Sequence, residues 1–218
     1  MSADEDTRRL AGAALAAGDA TGWFEQLYAA AEAGTAEVPW DVPQPTRLLV
    51  EWAQRAAVTG AGRRALVIGC GLGRDAEFLA GLGFATCAFD ISETAVRTAR
   101  ERHPESQVEY GVADLLDPPP QWRAGFDLVV ESNNVQALTG EVRARAIANV
   151  GPMVAPGGTL LVVAVAATGQ EQGPPWPLSR AEVESFAGDD LTAVSIEELP
   201  DATDEHVARW RAEFTRPA

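Results

Sequence analysis

The sequence predicts an α/β fold in which helices cover both faces of a doubly wound, mainly parallel β-sheet. Short apolar runs alternate with helical patterns over residues 65–165, which is typical of parallel strands joined by crossover helices. The first run, residues 65–69, leads through a glycine-rich turn into a helix. The last two strand candidates follow one another without a helix between them, so we expect an antiparallel hairpin to close the sheet.

The length and composition fit a single domain with a sizeable hydrophobic core. The chain has 218 residues, of which 46% are hydrophobic. Only residues 61–218 carry the strand pattern, while residues 1–60 read as helices and one extended segment. We therefore expect residues 1–60 to form an N-terminal cap, mostly helical, on a core formed by residues 61–218.

The charge and the termini narrow the choice of partner and compartment. The formal net charge is -15, and so acidic a surface repels phosphate backbones and anionic lipids. The apolar residues 10–18 are short and follow an acidic segment, which is atypical of an export signal. We expect a cytoplasmic monomer or homodimer that binds a small molecule, with neither nucleic acid nor membrane as a partner.

The residue inventory removes several kinds of chemistry. All 17 basic residues are arginine, which excludes a Walker-type phosphate loop and Schiff-base catalysis on a protein amine. His103 and His206 lie far along the chain from Cys70 and Cys87, so we expect no metal site. Both cysteines fall in or beside apolar runs and read as reduced core residues.

The elements follow from the local patterns in chain order. In the N-terminal cap, helical patterns at 23–30 and 48–57 flank a segment whose three prolines predict an extended connector. Ser92 and Ser179 each precede a helical pattern and are typical N-caps. We expect parallel strands near 65–69, 84–90, 107–111, 126–131 and 159–165, a turn at 155–158, helices at 74–82, 92 onward, 140–153 and 179–186, and hairpin strands near 191–198 and 206–214.

The glycine turn and the carboxylate after the second strand predict a nucleoside site. Glycines at 69, 71 and 73 allow backbone N–H groups to approach a ligand closely. Asp90 ends the second strand, where a carboxylate can bind two ribose hydroxyls. Residues 71–76 fit the dinucleotide pattern G-x-G-x-x-A, and residues 69–73 fit G-x-G-x-G. The closing hairpin favours the second pattern, because a dinucleotide needs a second mononucleotide-binding half.

Residues 69–73 resemble the first motif of class I S-adenosylmethionine-dependent methyltransferases, and the final hairpin resembles the end of their seven-stranded Rossmann-like sheet. Four further segments are similar to the thiol, halide and thiopurine methyltransferase group. The resemblance runs over nearly the whole chain, whereas residues 131–136 match no acceptor motif of that group. The four segments are Pro39-Trp40-Asp41, Asp90-Ile91-Ser92-Glu93-Thr94-Ala95, Gly173-Pro174-Pro175-Trp176-Pro177-Leu178 and Arg209-Trp210.

The resemblance implies S-adenosyl-L-methionine as cofactor and S-adenosyl-L-homocysteine as product. Asp90 would bind the ribose, and Ile91 would pack on the adenine. Asp114 would accept a hydrogen bond from the adenine amino group, and Leu115 would pack against the adenine ring. Trp40 would cover the cofactor, where an aromatic face attracts a sulfonium cation, and it could equally be a core residue. The expected cofactor-binding residues are Trp40, Gly69, Cys70, Gly71, Gly73, Asp90, Ile91, Asp114, Leu115, Glu131 and Ser132.

The acceptor is expected at the end of the fourth strand, since ligands of open α/β sheets bind at the carboxyl edge. Glu131 is the candidate general base there, with a structural hydrogen bond as the alternative role. Trp176 on the proline-rich loop could roof the acceptor pocket, and it could equally be a loop anchor. The expected substrate-binding residues are Tyr28, Asn133, Asn134 and Trp176.

The chemistry that this implies is direct displacement at the sulfonium methyl group. The enzyme mainly aligns the reactants and excludes water, because the leaving group is already activated. A thiolate or halide acceptor needs little base, and a heteroatom of a specialised metabolite is the other acceptor class. Two alternatives stay open at this point: a non-catalytic module that binds S-adenosylmethionine, and a nicotinamide-dependent oxidoreductase.

Overall fold

A computed structural model describes residues 3–169, 173–204 and 206–218, so the first two residues of the N-terminal cap lie outside it. The helices are α1 (Ala3–Ala16), α2 (Gly22–Glu32), α3 (Arg47–Arg55), α4 (Arg74–Gly81), α5 (Glu93–Arg102), α6 (Gly140–Val150) and α7 (Arg180–Glu184). The strands are β1 (Arg64–Ile68), β2 (Ala85–Asp90), β3 (Glu109–Val112), β4 (Phe126–Ser132), β5 (Val154–Val165), β6 (Thr192–Pro200) and β7 (Ala208–Thr215).

The seven strands form one sheet in the order β3-β2-β1-β4-β5-β7-β6. Strands β1 to β5 pair in parallel, whereas β7 runs antiparallel to both β5 and β6. This topology confirms the predicted fold class and the closing hairpin. The chain winds outward from β1 in one direction and from β4 in the other, so a crevice opens at the carboxyl ends of these two strands.

Both faces of the sheet are buried, which explains the continuous apolar runs of the central strands. On one face, Leu66 and Ile68 of β1 pack with Phe89, Val129 and residues of α6. On the other face, Ala65 and Val67 pack with Leu128, Val130 and residues of α3, α4 and α5. Helices on both sides therefore fix the sheet, and the ends of its strands become a rigid platform.

Strand β5 begins five residues earlier than the sequence predicts. The expected turn at 155–158 is instead an irregular start of the strand, where Val154 pairs with Phe126 and the pairing resumes at Thr159. Gly157 has a φ of +73°, a conformation that glycine adopts without a steric penalty. The prediction of a turn was wrong because the bulge depends on pairing with a distant strand.

The helix starts are capped as the sequence predicts. Ser92 Oγ accepts a hydrogen bond from the N–H of Ala95 at 3.0 Å. Ser179 and Glu182 form a reciprocal capping box at the start of α7. Helix α6 gives way to a short 3₁₀ segment at Gly151–Met153, since Pro152 has no N–H to continue the α-helical pattern.

Carboxylates of the N-terminal cap hold it against α5. Glu25 accepts hydrogen bonds from Ser92 Oγ at 2.6 Å, Thr94 Oγ1 at 2.6 Å and Thr94 N–H at 3.1 Å. Farther along α5, Arg97 pairs with Glu32 and Arg102 pairs with Asp41, each through two hydrogen bonds. Glu25 thus binds the turn that directly follows Asp90.

Within the described residues, no helix has the length and apolar character needed to cross a membrane.

We predict that Glu25 is the main anchor of the N-terminal cap. The Glu25→Ala variant should lose about 2 kcal/mol of unfolding free energy in urea, because it leaves polar groups at the start of α5 without their charged partner. The matched Glu32→Ala variant removes an ion pair whose side chains are 49% and 47% exposed and should lose less than about 1 kcal/mol. Equal losses of unfolding free energy in the two variants would contradict the assignment of Glu25 as the main anchor.

The contribution of Glu25 should depend on pH. Burial raises the pKa of Glu25, but hydrogen bonds from Ser92 and Thr94 and the charge of Arg97 outweigh it, and the net pKa lies below its ordinary 4.5. The stabilisation is therefore complete above about pH 4.5 and declines as the pH falls through the lower folded-state pKa. The gap between wild type and Glu25→Ala should narrow in unfolding experiments below pH 4.

Candidate active site

A cavity of about 960 Å³ runs along the carboxyl edge of the sheet, beneath the N-terminal cap. This volume lies at the upper end of the range for small-molecule sites. Adjacent strands are about 4.8 Å apart, so the edge from β3 to β5 spans roughly 19 Å. The wall residues that follow the strands are Gly69, Cys70, Gly71, Leu72, Asp90, Ile91, Ala113, Asp114, Leu115, Leu116, Ser132, Asn133, Asn134, Gln136, Ala137, Leu138, Val165, Pro174 and Pro175.

Asp90 is a buried carboxylate in this wall. Its Oδ2 accepts a hydrogen bond from the N–H of Gly71 at 2.9 Å, and its Oδ1 accepts one from the N–H of Ser92 at 3.0 Å. Burial raises the pKa of Asp90, while the N–H groups of Ser92, Gly71 and Ile91 oppose that shift. The carboxylate is thus fixed in orientation, and each oxygen keeps a second lone pair for a ligand.

The three glycines after β1 are required for different reasons. Gly69 and Gly71 have φ values of +58° and +51° and line the cavity. A Cβ at Gly71 would lie 2.9 Å from the hydroxyl of Tyr28, so glycine at this position leaves room for Tyr28 of the cap to pack against the loop. Gly73 does not line the cavity. A Cβ there would lie 2.3 Å from the hydroxyl of Tyr110, so packing explains this glycine.

The aromatic residues of the cap lie over the glycine loop. Trp40 Nε1 donates to the Tyr28 hydroxyl at 2.7 Å, and the two rings meet edge to face at 6.2 Å. Both residues line the cavity, and Trp23 lies beside Trp40 at 6.3 Å. Burial and the neighbouring charge of Asp90 hold the pKa of Tyr28 well above its usual range, so the phenol stays protonated.

The ends of β2 and β3 lie beside the glycine loop in the cavity wall. Ile91 follows Asp90 directly, and Leu115 is buried. Asp114 is half-buried, and its Oδ1 accepts a hydrogen bond from the N–H of Leu116 at 2.7 Å. The structure therefore brings together all four residues that the sequence predicts around the nucleoside.

A polar network joins the cap to β4 at the far side of the glycine loop. Both oxygens of Asp75 accept hydrogen bonds from Thr46, from its N–H at 2.7 Å and from its hydroxyl at 2.8 Å. The Thr46 hydroxyl also lies 3.1 Å from Ser132 Oγ. Asn133, with a φ of +60°, accepts a hydrogen bond from Arg209 at 3.2 Å. Ser132 and Asn133 line the cavity as the sequence predicts.

Asn134 also lines the cavity, and its side chain packs over the glycine loop. A Cβ at Gly69 would lie 2.4 Å from the Oδ1 of Asn134, so glycine at this position leaves room for the amide. The loop after β1 and the loop after β4 are therefore packed directly against each other.

Glu131 is fully buried and does not line the cavity. Its Oε1 accepts hydrogen bonds from the N–H groups of Asn134 at 2.7 Å and Val135 at 2.9 Å. Burial raises the pKa of Glu131 to about 7, although these two donors oppose the shift. The geometry matches the structural alternative for this residue, because Oε1 holds the turn after β4 and the side chain lies outside the cavity wall.

Trp176 is half-buried but lies outside the cavity wall, to which its neighbours Pro174 and Pro175 contribute. Its N–H donates to the carbonyl of Gln136 at 2.7 Å, and its own carbonyl accepts from Arg143 at 2.8 Å. The structure thus places Trp176 as an anchor of the proline-rich loop, and the prolines face the site.

The wall also includes residues that were not expected from the sequence as site residues, among them Trp23, Arg209 and Gln136. Trp23 of α2 is both buried and part of the wall. Arg209 and Gln136 come from segments that only the sheet order brings to the same edge. For Gln136, the signal in the sequence is its position a few residues after β4.

A family model described as thiopurine S-methyltransferase matches residues 31–215 of the chain. Among the curated relatives, thiocyanate methyltransferase 1 of Arabidopsis thaliana is 28% identical over 181 residues, which cover 79% of each chain. The probable thiol methyltransferase 2 of the same plant is 25% identical over 205 residues, which cover 90% of this chain and 88% of the relative.

Solved structures share the fold. The N-methyltransferase NodS from Bradyrhizobium japonicum WM9, in complex with S-adenosyl-L-homocysteine, superposes with a TM-score of 0.65. The superposition covers 89% of this chain and 100% of that chain, at 19% sequence identity.

We predict that the charge on Glu131 weakens the fold at alkaline pH. Because its pKa rises from 4.5 to about 7 on folding, the unfolded chain ionises first and stability falls across that interval. Relative to wild type, Glu131→Gln should gain about 2 kcal/mol in urea unfolding between pH 5 and pH 8. The exposed control Glu105→Gln should show no such pH-dependent gain. A constant difference for Glu131→Gln across this range would contradict the prediction.

Proposed function

The chain belongs to the thiopurine S-methyltransferase family, and we propose that the group it methylates is the sulfur of a small thiol or thiolate. It is an S-adenosyl-L-methionine-dependent methyltransferase that acts on a small molecule. The relatives described above are a thiocyanate and a probable thiol methyltransferase, which supports a sulfur acceptor here. Halides and other heteroatoms form the second acceptor class.

The residues at the β1–β3 half of the edge fit the cofactor. The observation that carries this assignment is Asp90, a buried carboxylate fixed by two backbone N–H groups within the cavity wall. An anion so placed suits the paired hydroxyls of a ribose. Ile91 and Leu115 offer apolar surface for the adenine, and Asp114 can accept a hydrogen bond from its amino group. Gly69 and Gly71 allow the backbone to approach the rest of the cofactor.

The charged tail of the cofactor would lie toward α4. Both oxygens of Asp75 accept hydrogen bonds from Thr46, so Asp75 fixes the cap at the start of α4. Arg74 lines the cavity beside this pair, with its side chain 26% exposed. We therefore assign the binding of the tail carboxylate to Arg74 and to the backbone of the glycine loop.

The chain supplies alignment and a covered site, while the bound cofactor supplies the activated methyl group on its sulfonium. Trp40 and Tyr28 cover the glycine loop and keep water from the reacting centre. Ser132 ends β4, and Asn133 and Asn134 follow it. These three residues would hold the acceptor next to the glycine loop. In this alignment the nucleophile approaches the methyl group in line with the methyl–sulfur bond.

No general base is required at this site if the acceptor is a thiolate. Glu131 faces the turn after β4, and His103 lies in the wall near Gly73, on the cofactor side. A thiol ionises readily near neutral pH and is intrinsically a strong nucleophile. A hydroxyl acceptor would need proton removal that these two groups are not placed to provide, and a neutral amine needs no base but is a weaker nucleophile than a thiolate. The site is therefore better suited to sulfur than to oxygen or nitrogen.

We predict that the enzyme methylates thiols in preference to matched phenols and anilines. With S-adenosyl-L-methionine, thiophenol should react at least about 100-fold faster in kcat/KM than phenol or aniline, because its thiolate forms near neutral pH and is a stronger nucleophile than the neutral phenol or amine. Product formation is measured by chromatography of the methylated compounds. The Glu131→Gln variant should keep thiophenol turnover within about threefold of wild type, since this side chain lies outside the wall.

Two results would contradict the proposal. Faster methylation of aniline or phenol would assign a nitrogen or oxygen acceptor. A loss of more than about 100-fold in Glu131→Gln, with its fold intact, would restore the role of general base to Glu131.

A further inference from the structure

Gln136 lies on the short 3₁₀ turn Val135–Ala137 that follows β4, and it lines the cavity although it is only 5% exposed. Its side-chain oxygen accepts a hydrogen bond from the N–H of Val165 at 2.8 Å. Its backbone carbonyl accepts one from the N–H of Trp176 at 2.7 Å. Gln136 is thus held by the end of β5 and by the proline-rich loop.

These bonds fix the direction of the Gln136 carboxamide. A backbone N–H can only donate, so the side-chain oxygen must face Val165, and the amide nitrogen points the other way. Among the described residues, none accepts a hydrogen bond from this nitrogen. It is also not one of the side-chain atoms sealed within the protein, unlike Trp23 Nε1. The Gln136 amide therefore presents its two N–H donors to the cavity.

The surroundings of this amide are mostly apolar. Ala137, Leu138, Val165, Pro174 and Pro175 all belong to the same part of the wall. An N–H donor among such neighbours discriminates strongly between ligands that can accept its hydrogen bond and ligands that cannot. A ligand without a matching acceptor leaves the donor unpaired and without water.

Two of the arginines in the wall are already engaged by carboxylates or polar groups, and the third, Arg74, is assigned to the cofactor tail. Arg209 pairs with Asp201 and donates to Asn133, and Arg102 is held by both oxygens of Asp41. A neutral donor therefore supplies the recognition near the ends of β4 and β5. Such a donor favours a partial negative charge, as on a carbonyl oxygen or a ring nitrogen, over a full anionic group that would seek a guanidinium.

We propose that Gln136 determines the specificity for the methyl acceptor by donating a hydrogen bond to a second, neutral polar atom of that molecule. The inference rests on the proposed function and narrows it. The acceptor class is a thiol that carries a neutral hydrogen-bond acceptor, such as a carbonyl oxygen, in addition to its nucleophilic sulfur. Simple thiols and inorganic anions lack that second atom and leave the amide unpaired.

The test compares thiophenol with its 2-, 3- and 4-acetyl derivatives on two variants. Gln136→Met fills the same space without a donor. Gln136→Glu can still accept the bond from Val165 N–H but presents an oxygen where the amide was. For at least one acetyl isomer, each variant should lower kcat/KM about tenfold, mainly through an increase in KM. With Gln136→Met, kcat/KM for thiophenol should change less than about twofold.

Controls separate specificity from folding. The exposed Gln54→Met variant should match wild type with every thiol. Titration with S-adenosyl-L-homocysteine should give the same affinity for wild type and Gln136→Met, which shows that the cofactor half is intact.

The outcomes distinguish this inference from the function on which it rests. If Gln136→Met alters all four thiols equally, or alters none, the specificity role is wrong while the thiol acceptor stands. If the wild-type enzyme methylates none of the four thiols, the proposed sulfur acceptor fails, and the inference fails with it.

Discussion

The carboxylate of Asp90 connects three parts of the molecule that are distant in sequence. It accepts hydrogen bonds from Gly71 in the loop after β1 and from Ser92 at the start of α5. Ser92 in turn donates to Glu25 of the N-terminal cap, and Tyr28 of the same cap helix reaches back over Gly71. Sheet, loop and cap are thereby closed into one ring around the end of the cavity next to β1 and β2.

The ring explains how a flat sheet edge becomes an enclosed site. The parallel strands bring the loops after β1, β2 and β3 to one half of the edge and those after β4 and β5 to the other. The cap is joined to the first half through Glu25 and to the second half through Thr46, which lies 3.1 Å from Ser132. Cofactor and acceptor can therefore be held side by side under one cover, which displacement at a methyl group requires.

Much of this arrangement could be predicted because it rests on local patterns. The apolar runs, the glycines and Asp90 are short-range signals, and they indicated the sheet, its closing hairpin and the position of Asp90 beside the glycine loop. Other features depend on contacts between distant segments. Gly73 is explained by Tyr110, and the start of β5 is explained by pairing of Val154 with Phe126. Whether Glu131 or Gln136 faces the cavity depends on the turn after β4, for which the sequence offers no residue pattern.

The most direct test of the account is a calorimetric titration of S-adenosyl-L-homocysteine into wild type and Asp90→Asn. Asparagine preserves the size of the side chain but removes the charge that faces the ribose hydroxyls and one of the two acceptor oxygens. We expect affinity to fall at least about tenfold, with the exposed Asp117→Asn control unchanged and thermal unfolding confirming that both variants fold. Binding within twofold of wild type in a folded Asp90→Asn protein would contradict the central role of this carboxylate.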